Sequence, residues 1–354
     1  MKIDVKSNIK NYSIEFHDDF GFLQSFAELK NTVYIIDRKV YGIYSSHFSK
    51  IEQSDLFLLD AAEENKSLDY VQKIYDFLTS KAVKRNITIV SIGGGITQDI
   101  TGFVASTLYR GVNWIFAPTT FLAITDSCLG SKTSLNYKSH KNLIGTFYPP
   151  SQIHICHKFI ETLDRVDFYS GVGEAIKLQL LKEENNKSLN DVRSVIYETI
   201  EKPEKRLDWI CDNLRVKLSY MEDDEFDLGR RNLLNYGHCF GHALEATSVY
   251  EVPHGIAVTI GMIFANRLAV NRGIFSEDKC SYIEQEILKP CVPISVDQAY
   301  LDTDAIFEAM KSDKKRTGEF LAVVIPDNSY NFIKLEDVRY DELEPCINVI
   351  KHIL

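Results

Sequence analysis

The stretch ITIVSIGGGITQDITGFVASTLYR, residues 87–110, restricts the possible folds more than any other. An apolar, β-branched run ends in Gly93, Gly94 and Gly95 and gives way to a segment with helical spacing. A strand that turns through glycine into a helix is the opening of a βαβ unit. Glycine has no Cβ, so the backbone there can approach a ligand closely or take positive φ, and the N–H groups opening the helix attract anions. The pattern is not a full GxGxxG, because Gln98 stands where the third glycine would be. A triple glycine alone fits a tight turn as well as a phosphate cradle. Two neighbours favour the cradle. Asp37 lies in the β-rich run TVYIIDRKVY (32–41), at the place where an acidic residue accepts hydrogen bonds from a ribose. Thr119 and Thr120 close the run NWIFAPTT (113–120) with hydroxyls. Nucleotide binding is the better reading.

Further runs extend the pattern. DLFLLDA (55–61) reads as a strand, and DYVQKIYDFLTSKAV (69–83) has helical spacing, with Val71, Ile74, Tyr75 and Leu78 on one face. Alternating strands and helices predict a doubly wound parallel sheet. From about residue 168 the segments read as helices, including GRRNLLNYGHCFGHALEATS and HGIAVTIGMIFANRLAVNRG, with few strand signals before EFLAVVIP (319–326). The expected fold class is therefore an α/β, Rossmann-like N-terminal domain with a parallel sheet (1–165), followed by a mostly α-helical C-terminal domain (166–354).

The 354 residues suffice for two domains with substantial cores, and the 45% hydrophobic, 25% charged composition is that of a globular protein. A net charge of −10 argues against binding nucleic acid or anionic membranes. No apolar run approaches a membrane span and the first residues lack a secretory h-region, so a cytoplasmic enzyme is the expectation. The seven cysteines are dispersed, with no CxxC, and read as reduced thiols rather than disulfides or a zinc site.

Two polar regions stand out. TDSCLGSKTSLNYKSHKNLIGTFYPP (125–150) carries Asp126, Lys132, Asn136, Lys138, Lys141 and Asn142 between apolar flanks, which predicts a packed loop suited to an oxygen-rich anion. In the second half, GEAIK sets Glu174 and Lys177 three apart, on one helical face. Arg231, Asn235, His238, His242 and Glu245 follow at spacings of four, three, four and three, read as one polar stripe on one helix. His254 opens a small, apolar helix, and SDKKRTGEF (312–320) is a basic turn. One Glu and two or three His suggest an open three-ligand zinc or iron site. Spacing alone nominates His238 and His242 as ligands, four residues apart on a helix.

Taken together, GGGITQDITGFVASTLYRGV, PTTFLAITDSCLGSKTSLN, KNLIGTFYPP, GEAIK, LLNYGHCFGHALEA, HGIAVTIGM and SDKK resemble the 3-dehydroquinate synthase family, in family order from about residue 90 to 320. The related sugar-phosphate cyclases, and more distantly the glycerol dehydrogenases, are similar. The resemblance implies a phosphate-eliminating lyase of the shikimate pathway that uses NAD and a divalent metal, zinc or cobalt. It would turn 3-deoxy-D-arabino-heptulosonate 7-phosphate into 3-dehydroquinate and phosphate by oxidation, elimination, reduction and intramolecular aldol closure.

Carried over position by position, the resemblance implies Glu174, His238 and His254 as metal ligands, with His242 on the substrate side. It implies a dinucleotide site of Asp37, Glu63, Lys66, Gly94, Gly95, Asp99, Thr119, Thr120, Lys141, Thr162 and Leu163. The catalytic set would be Asp126, Lys132, Lys177, Lys217, Arg231, Asn235 and His242, with Asn142 and a lysine of the Lys314/Lys315 pair binding substrate. Arg110 would reach a phosphate site from the neighbouring subunit of a homodimer. Lys39, Asp227, Ile256 and the run GSKTSLN depart from the family pattern without removing a ligand or a substrate-binding charge. They keep in view a cyclase acting on another sugar phosphate. A dehydrogenase is disfavoured, because it would leave the lysine-rich 132–142 run without a purpose.

Overall fold

The computed structural model describes residues 1–138, 140–183, 188–312 and 320–354. The chain forms two compact units, Met1–Thr162 and Leu163–Leu354.

The first unit is α/β. Seven strands are hydrogen-bonded in the order β1-β2-β9-β6-β5-β3-β4: β1 (Lys2–Val5), β2 (Tyr12–His17), β3 (Thr32–Asp37), β4 (Leu56–Leu59), β5 (Thr88–Gly93), β6 (Asn113–Pro118) and β9 (Gln152–Cys156). Only β1 is antiparallel to its neighbour. Val33, Ile35, Ile36, Ile89, Val90, Ile92, Phe116 and Ala117 are almost wholly buried, as a sheet covered on both faces requires. The chain leaves β3 outward to β4, then returns to the other side of β3 as β5 and continues to β6. The direction of winding thus reverses between β3 and β5. The crevice outside the carboxyl ends of two such strands is where open α/β sheets bind ligands.

The β-rich run 32–41 divides at Asp37, which ends β3 and caps the helix Arg38–Ile43 with its side chain. One sequence expectation needs correction here. The run 125–150 is not a loop. It forms a π-turn, Ala123–Ser127, and an antiparallel hairpin, β7 (Lys132–Tyr137) with β8 (His140–Phe147). Thr133 and Leu135 are buried, and Gly145 lies so close to the Thr133 carbonyl that a Cβ would sit 2.2 Å from it. Tertiary packing overrides the loop-like composition.

The second unit is mostly helical, with one two-stranded sheet, β10 (Leu321–Pro326) and β11 (Phe332–Val338). The central helix His254–Asn271 has fourteen buried residues, among them Ile256, and is apolar all round, as a core helix must be. The polar stripe from Arg231 to Glu245 does not lie on one helix. A 3₁₀ turn, Arg230–Asn235, is separated from the helix His238–Thr247 by Gly237, which is left-handed at φ 78°. Gly237 also abuts the Val258 carbonyl, where a Cβ would come within 2.6 Å. Gly255 packs on Ser170 more tightly still, with only 1.7 Å between an added Cβ and the carbonyl oxygen. Among the described residues no helix is long and apolar enough to cross a membrane, and all seven cysteines are free thiols.

Candidate active site

In the first unit, Gly93 ends β5, and Gly94 precedes the helix Gly95–Thr107. None of the three glycines has positive φ, so space rather than left-handed backbone is what glycine supplies there. A Cβ on Gly93 would lie 2.4 Å from Thr97 Oγ1, and one on Gly94 2.7 Å from Thr120 Cγ2. At Gly95 the nearest atom would be Ser127 Oγ at 3.8 Å, which leaves the helix entrance open. Thr119 is buried, and its N–H donates to the Gly93 carbonyl at 3.0 Å. Thr120 Oγ1 accepts from the Ala123 N–H at 3.2 Å. Gln98, in place of a third glycine, exchanges two hydrogen bonds with Ser127 (2.7 and 2.8 Å), pinning the π-turn that carries Asp126. Sequence reading gave Gln98 and Ser127 no role, and no local signal marks the pair.

Asp37 ends β3, facing the crevice from the other strand. Burial pushes its carboxyl up from the usual range, against the Lys39 and Val40 N–H groups that its Oδ1 accepts at 2.7 and 3.4 Å. Beside the glycine turn runs a closed polar network. Lys66 Nζ lies 2.6 Å from Asp99 Oδ2 and donates to Asn142 Oδ1 at 2.5 Å. Ser134 Oγ donates to Asp99 at 3.0 Å, Asn136 donates to Glu63 Oε1 at 2.8 Å, and Lys141 Nζ is 3.8 Å from the same oxygen. Burial raises the Asp99 carboxyl's pKa even with Lys66 beside it. Asn142, assigned to substrate by resemblance, joins the dinucleotide candidates Glu63, Lys66, Asp99 and Lys141 in this network. Thr162 Oγ1 is 2.9 Å from the Tyr44 hydroxyl, while Leu163 opens the second unit. Lys132 starts β7 with an exposed side chain, and Arg110, at φ 63°, lies on an exposed turn.

In the second unit, the helix Arg165–Leu181 carries Glu174 with 0% exposure and Lys177 with 2%. His238 and His254 are each the first residue of a helix. Both bring Nε2 close to Glu174: each nitrogen is 3.3 Å from Oε1, while Lys177 Nζ is 2.5 Å from Oε2. Neither carboxylate oxygen accepts a hydrogen bond of good geometry among the described residues, so these are close approaches without hydrogen-bond angles. Two metal–ligand bonds of ~2.0–2.1 Å at the tetrahedral angle span roughly 3.3 Å. The arrangement fits a divalent cation seated among Glu174, His238 and His254. His242 is near: its ring centroid is 5.4 Å from that of His238 and 5.5 Å from that of His254, and the three histidines offer nitrogens within 4.8 Å of one another. It is His238 and His254 that approach the Glu174 carboxylate.

Electrostatics divide the two rings. Burial, with Lys177 adding to it, lowers His238 to about 4, so its ring is neutral and ready to ligate. Burial also opposes charge on His254, but Glu245 and Glu174 outweigh it and raise that ring to about 10. Glu174 is held well below the usual carboxylate range, against burial, by Lys177 and then His238. Glu245 Oε2 lies 2.9 Å from His254 Nδ1. Sequence reading placed Glu245 in the polar stripe and gave it no function. In the same unit, Lys217 is buried on the helix Arg206–Met221, and Arg231 is buried and donates to the Glu225 carbonyl. Asn235 donates to the Asn232 carbonyl at 2.8 Å. Lys314 and Lys315 lie outside the described residues.

A second Glu–His–His group occupies the first unit: Glu15 and His17 on β2 with His154 on β9. His17 Nε2 and His154 Nδ1 are 2.9 Å apart, a hydrogen bond closer than the roughly 3.3 Å edge of tetrahedral ligation. One shared proton satisfies that pair.

Comparison with known proteins identifies the family. The family model for the 3-dehydroquinate synthase N-terminal domain matches residues 56–170, and the C-terminal one residues 171–316. The chain belongs to the 3-dehydroquinate synthase family. A 3-dehydroquinate synthase of Streptococcus equi subsp. equi is 34% identical over 92% of this chain and 91% of its own length. One of Clostridium tetani is 37% identical over 88% of this chain and 84% of its own. Among solved structures, a 2-epi-5-epi-valiolone synthase from Streptomyces hygroscopicus subsp. jinggangensis, with NAD+ and Zn2+ bound, superposes with a TM-score of 0.85 at 22% identity, covering 99% of both chains. At that identity it shows the shared fold.

Proposed function

We propose that this enzyme is a 3-dehydroquinate synthase, converting 3-deoxy-D-arabino-heptulosonate 7-phosphate into 3-dehydroquinate and phosphate with NAD and a divalent metal, zinc or cobalt. The observation that carries the reading is Glu174: a fully buried carboxylate that both His238 and His254 approach at 3.3 Å without hydrogen-bonding angles. Two relatives that carry that name, at 34% and 37% identity over most of the chain, support the choice of reaction.

When bound, NAD accepts and returns a hydride, and the metal supplies positive charge beside the oxygen being oxidised. The protein's part is binding, orientation and charge balance. Glu174, His238 and His254 hold the metal, and Lys177 balances the Glu174 charge. Gly94 and Gly95 leave the entrance of the helix Gly95–Thr107 open to the dinucleotide phosphates. Asp37 stands at the carboxyl end of β3 for a ribose, and Lys66, Asp99 and the residues bonded to them brace the hairpin alongside. Thr119, Thr120, Thr162 and Leu163 complete that binding set. Lys132, Lys217 and Arg231, with Asn142 and Asn235, offset and orient the substrate's carboxylate and phosphate. Asp126 and His242 move protons. Arg110 serves a phosphate site in a homodimer.

Purified protein given the heptulosonate phosphate, NAD and Zn2+ or Co2+ should release inorganic phosphate, read by a colorimetric assay. Turnover of a different sugar phosphate, with none of this one, would move the enzyme to another cyclase activity.

A further inference from the structure

We infer that Glu245 is a positioning residue for the metal: it fixes the His254 ring with Nδ1–H toward its own carboxylate, so that the Nε2 lone pair faces the cation. The inference rests on the metal-site reading proposed above. Its starting point is that the His254 ring lies between two carboxylates, one at each nitrogen. Nε2 is 3.3 Å from Glu174 Oε1, and Nδ1 is 2.9 Å from Glu245 Oε2. Both carboxylates are buried, with side-chain exposures of 0% and 5%. The first also stands 3.3 Å from His238 Nε2, so it can share a cation with both rings.

An imidazole that ligates through one nitrogen must keep the proton on the other, and the partner of that proton decides which nitrogen is which. Glu245 is an acceptor with no competing donor role, so it can take only an N–H from His254. The helix His238–Thr247 contributes twice: His238 at its first position, and Glu245 two turns later as the support of the other histidine. The two histidines are braced differently. Nδ1 of His238 faces the backbone carbonyl of Tyr236 at 3.2 Å, a neutral acceptor that no side-chain substitution removes. His254 depends on a charged side chain, and such partners increase the basicity of the ligating nitrogen. Glu245 thus makes His254 the stronger of the two nitrogen donors and the one that mutation can detune.

The test uses the full-length protein, stripped of metal and titrated with Co2+ against a chelator, with the Co2+ absorption band and 15N NMR of the imidazole rings as further readouts. Glu245→Leu is expected to weaken Co2+ about 10- to 100-fold, as loss of an outer-shell partner does. It should also remove the Nδ1–H signature of His254 in the Zn2+-loaded protein. Glu245→Gln, whose neutral amide oxygen can still accept the proton, should lose only several-fold in affinity and keep the Nδ1–H signal at a shifted position. If Glu245→Leu does not fold, as judged by near-UV circular dichroism, Glu245→Gln decides alone: a several-fold loss of Co2+ affinity with a shifted His254 resonance supports the inference, and no change in either overturns it. Unaltered Co2+ affinity in a folded Glu245→Leu likewise overturns it. His254→Ala separates the two readings. If His254→Ala leaves Co2+ binding intact, the metal assignment itself has failed. If it abolishes binding while Glu245→Leu does not weaken it, only the positioning role has failed.

Discussion

Among the described residues each unit holds a glutamate close to two histidines, and the two groups are built to opposite ends. In the first unit His17 and His154 meet at 2.9 Å, with Glu15 no nearer to His154 than 3.9 Å. The polar atoms satisfy one another, and burial holds His154 neutral, lowering its pKa to about 4. In the second unit two rings approach a fully buried carboxylate at 3.3 Å without hydrogen bonds between them, with a buried lysine added. A buried charge held so is costly unless something completes it. Composition cannot separate the two groups. What separates them is whether the lone pairs converge on one another or on a shared space.

The largest expected effect tests that contrast directly. Glu174→Gln should abolish Co2+ binding in a spectroscopic titration, a loss beyond the 10- to 100-fold typical of outer-shell partners. His154→Gln should leave Co2+ affinity within about twofold. Equal losses in both variants would erase the distinction. A step smaller, His242→Ala should lower kcat about 10²- to 10⁴-fold, the range for a proton-transferring group, while Co2+ affinity changes only a few-fold. An emptied site in that variant would make His242 a ligand, as the i,i+4 spacing alone suggests.

The smallest effect concerns acid. The folded-state pKa of His154, about 4, lies below its ordinary 6.5, so the unfolded chain takes up the proton first. The stability this contributes is complete above pH 6.5 and lost as pH falls toward 4, on the order of 3 kcal/mol in all. Burial lowers His17 as well, which acts in the same direction. Amide exchange in β2 and β9 should therefore accelerate between pH 6.5 and 4, and His154→Gln should flatten that dependence. An unchanged slope in the variant would assign the acid sensitivity elsewhere.

Local patterns in the sequence carried the first unit further than the second. A β-branched run, three glycines and a helical segment lie within 24 residues, and each step is a short-range preference. The α/β character and the glycine turn were therefore legible, although β1, β2 and β9 lie in segments with no strong strand signal. The proposed ligand set is not local: Glu174, His238 and His254 come from three helices, and spacing along one helix favours the pair His238 and His242. Resemblance to the family, not periodicity, nominated Glu174 and His254. Gly237 broke the expected single helix because its left-handed conformation and its contact with Val258 are tertiary facts. The hairpin at 132–147 escaped a reading based on composition for the same reason. Glu245 escaped because a buried second carboxylate looks like any other helical glutamate until its ring partner is in view.

The contact of Gly255 with the Ser170 carbonyl has a consequence for how the proposed metal site can vary. It joins the helix bearing Glu174 to the helix opened by His254 through main-chain atoms, and Gly237 does the same between the His238 and His254 helices. The site is cast rather than assembled: its dimensions belong to the backbone mould, and the ligand side chains only fill it. Exchanging a ligand changes what the mould holds. Adding one methyl group at Gly255 would change the mould itself, shifting the helices of Glu174 and His254 against each other while altering neither side chain.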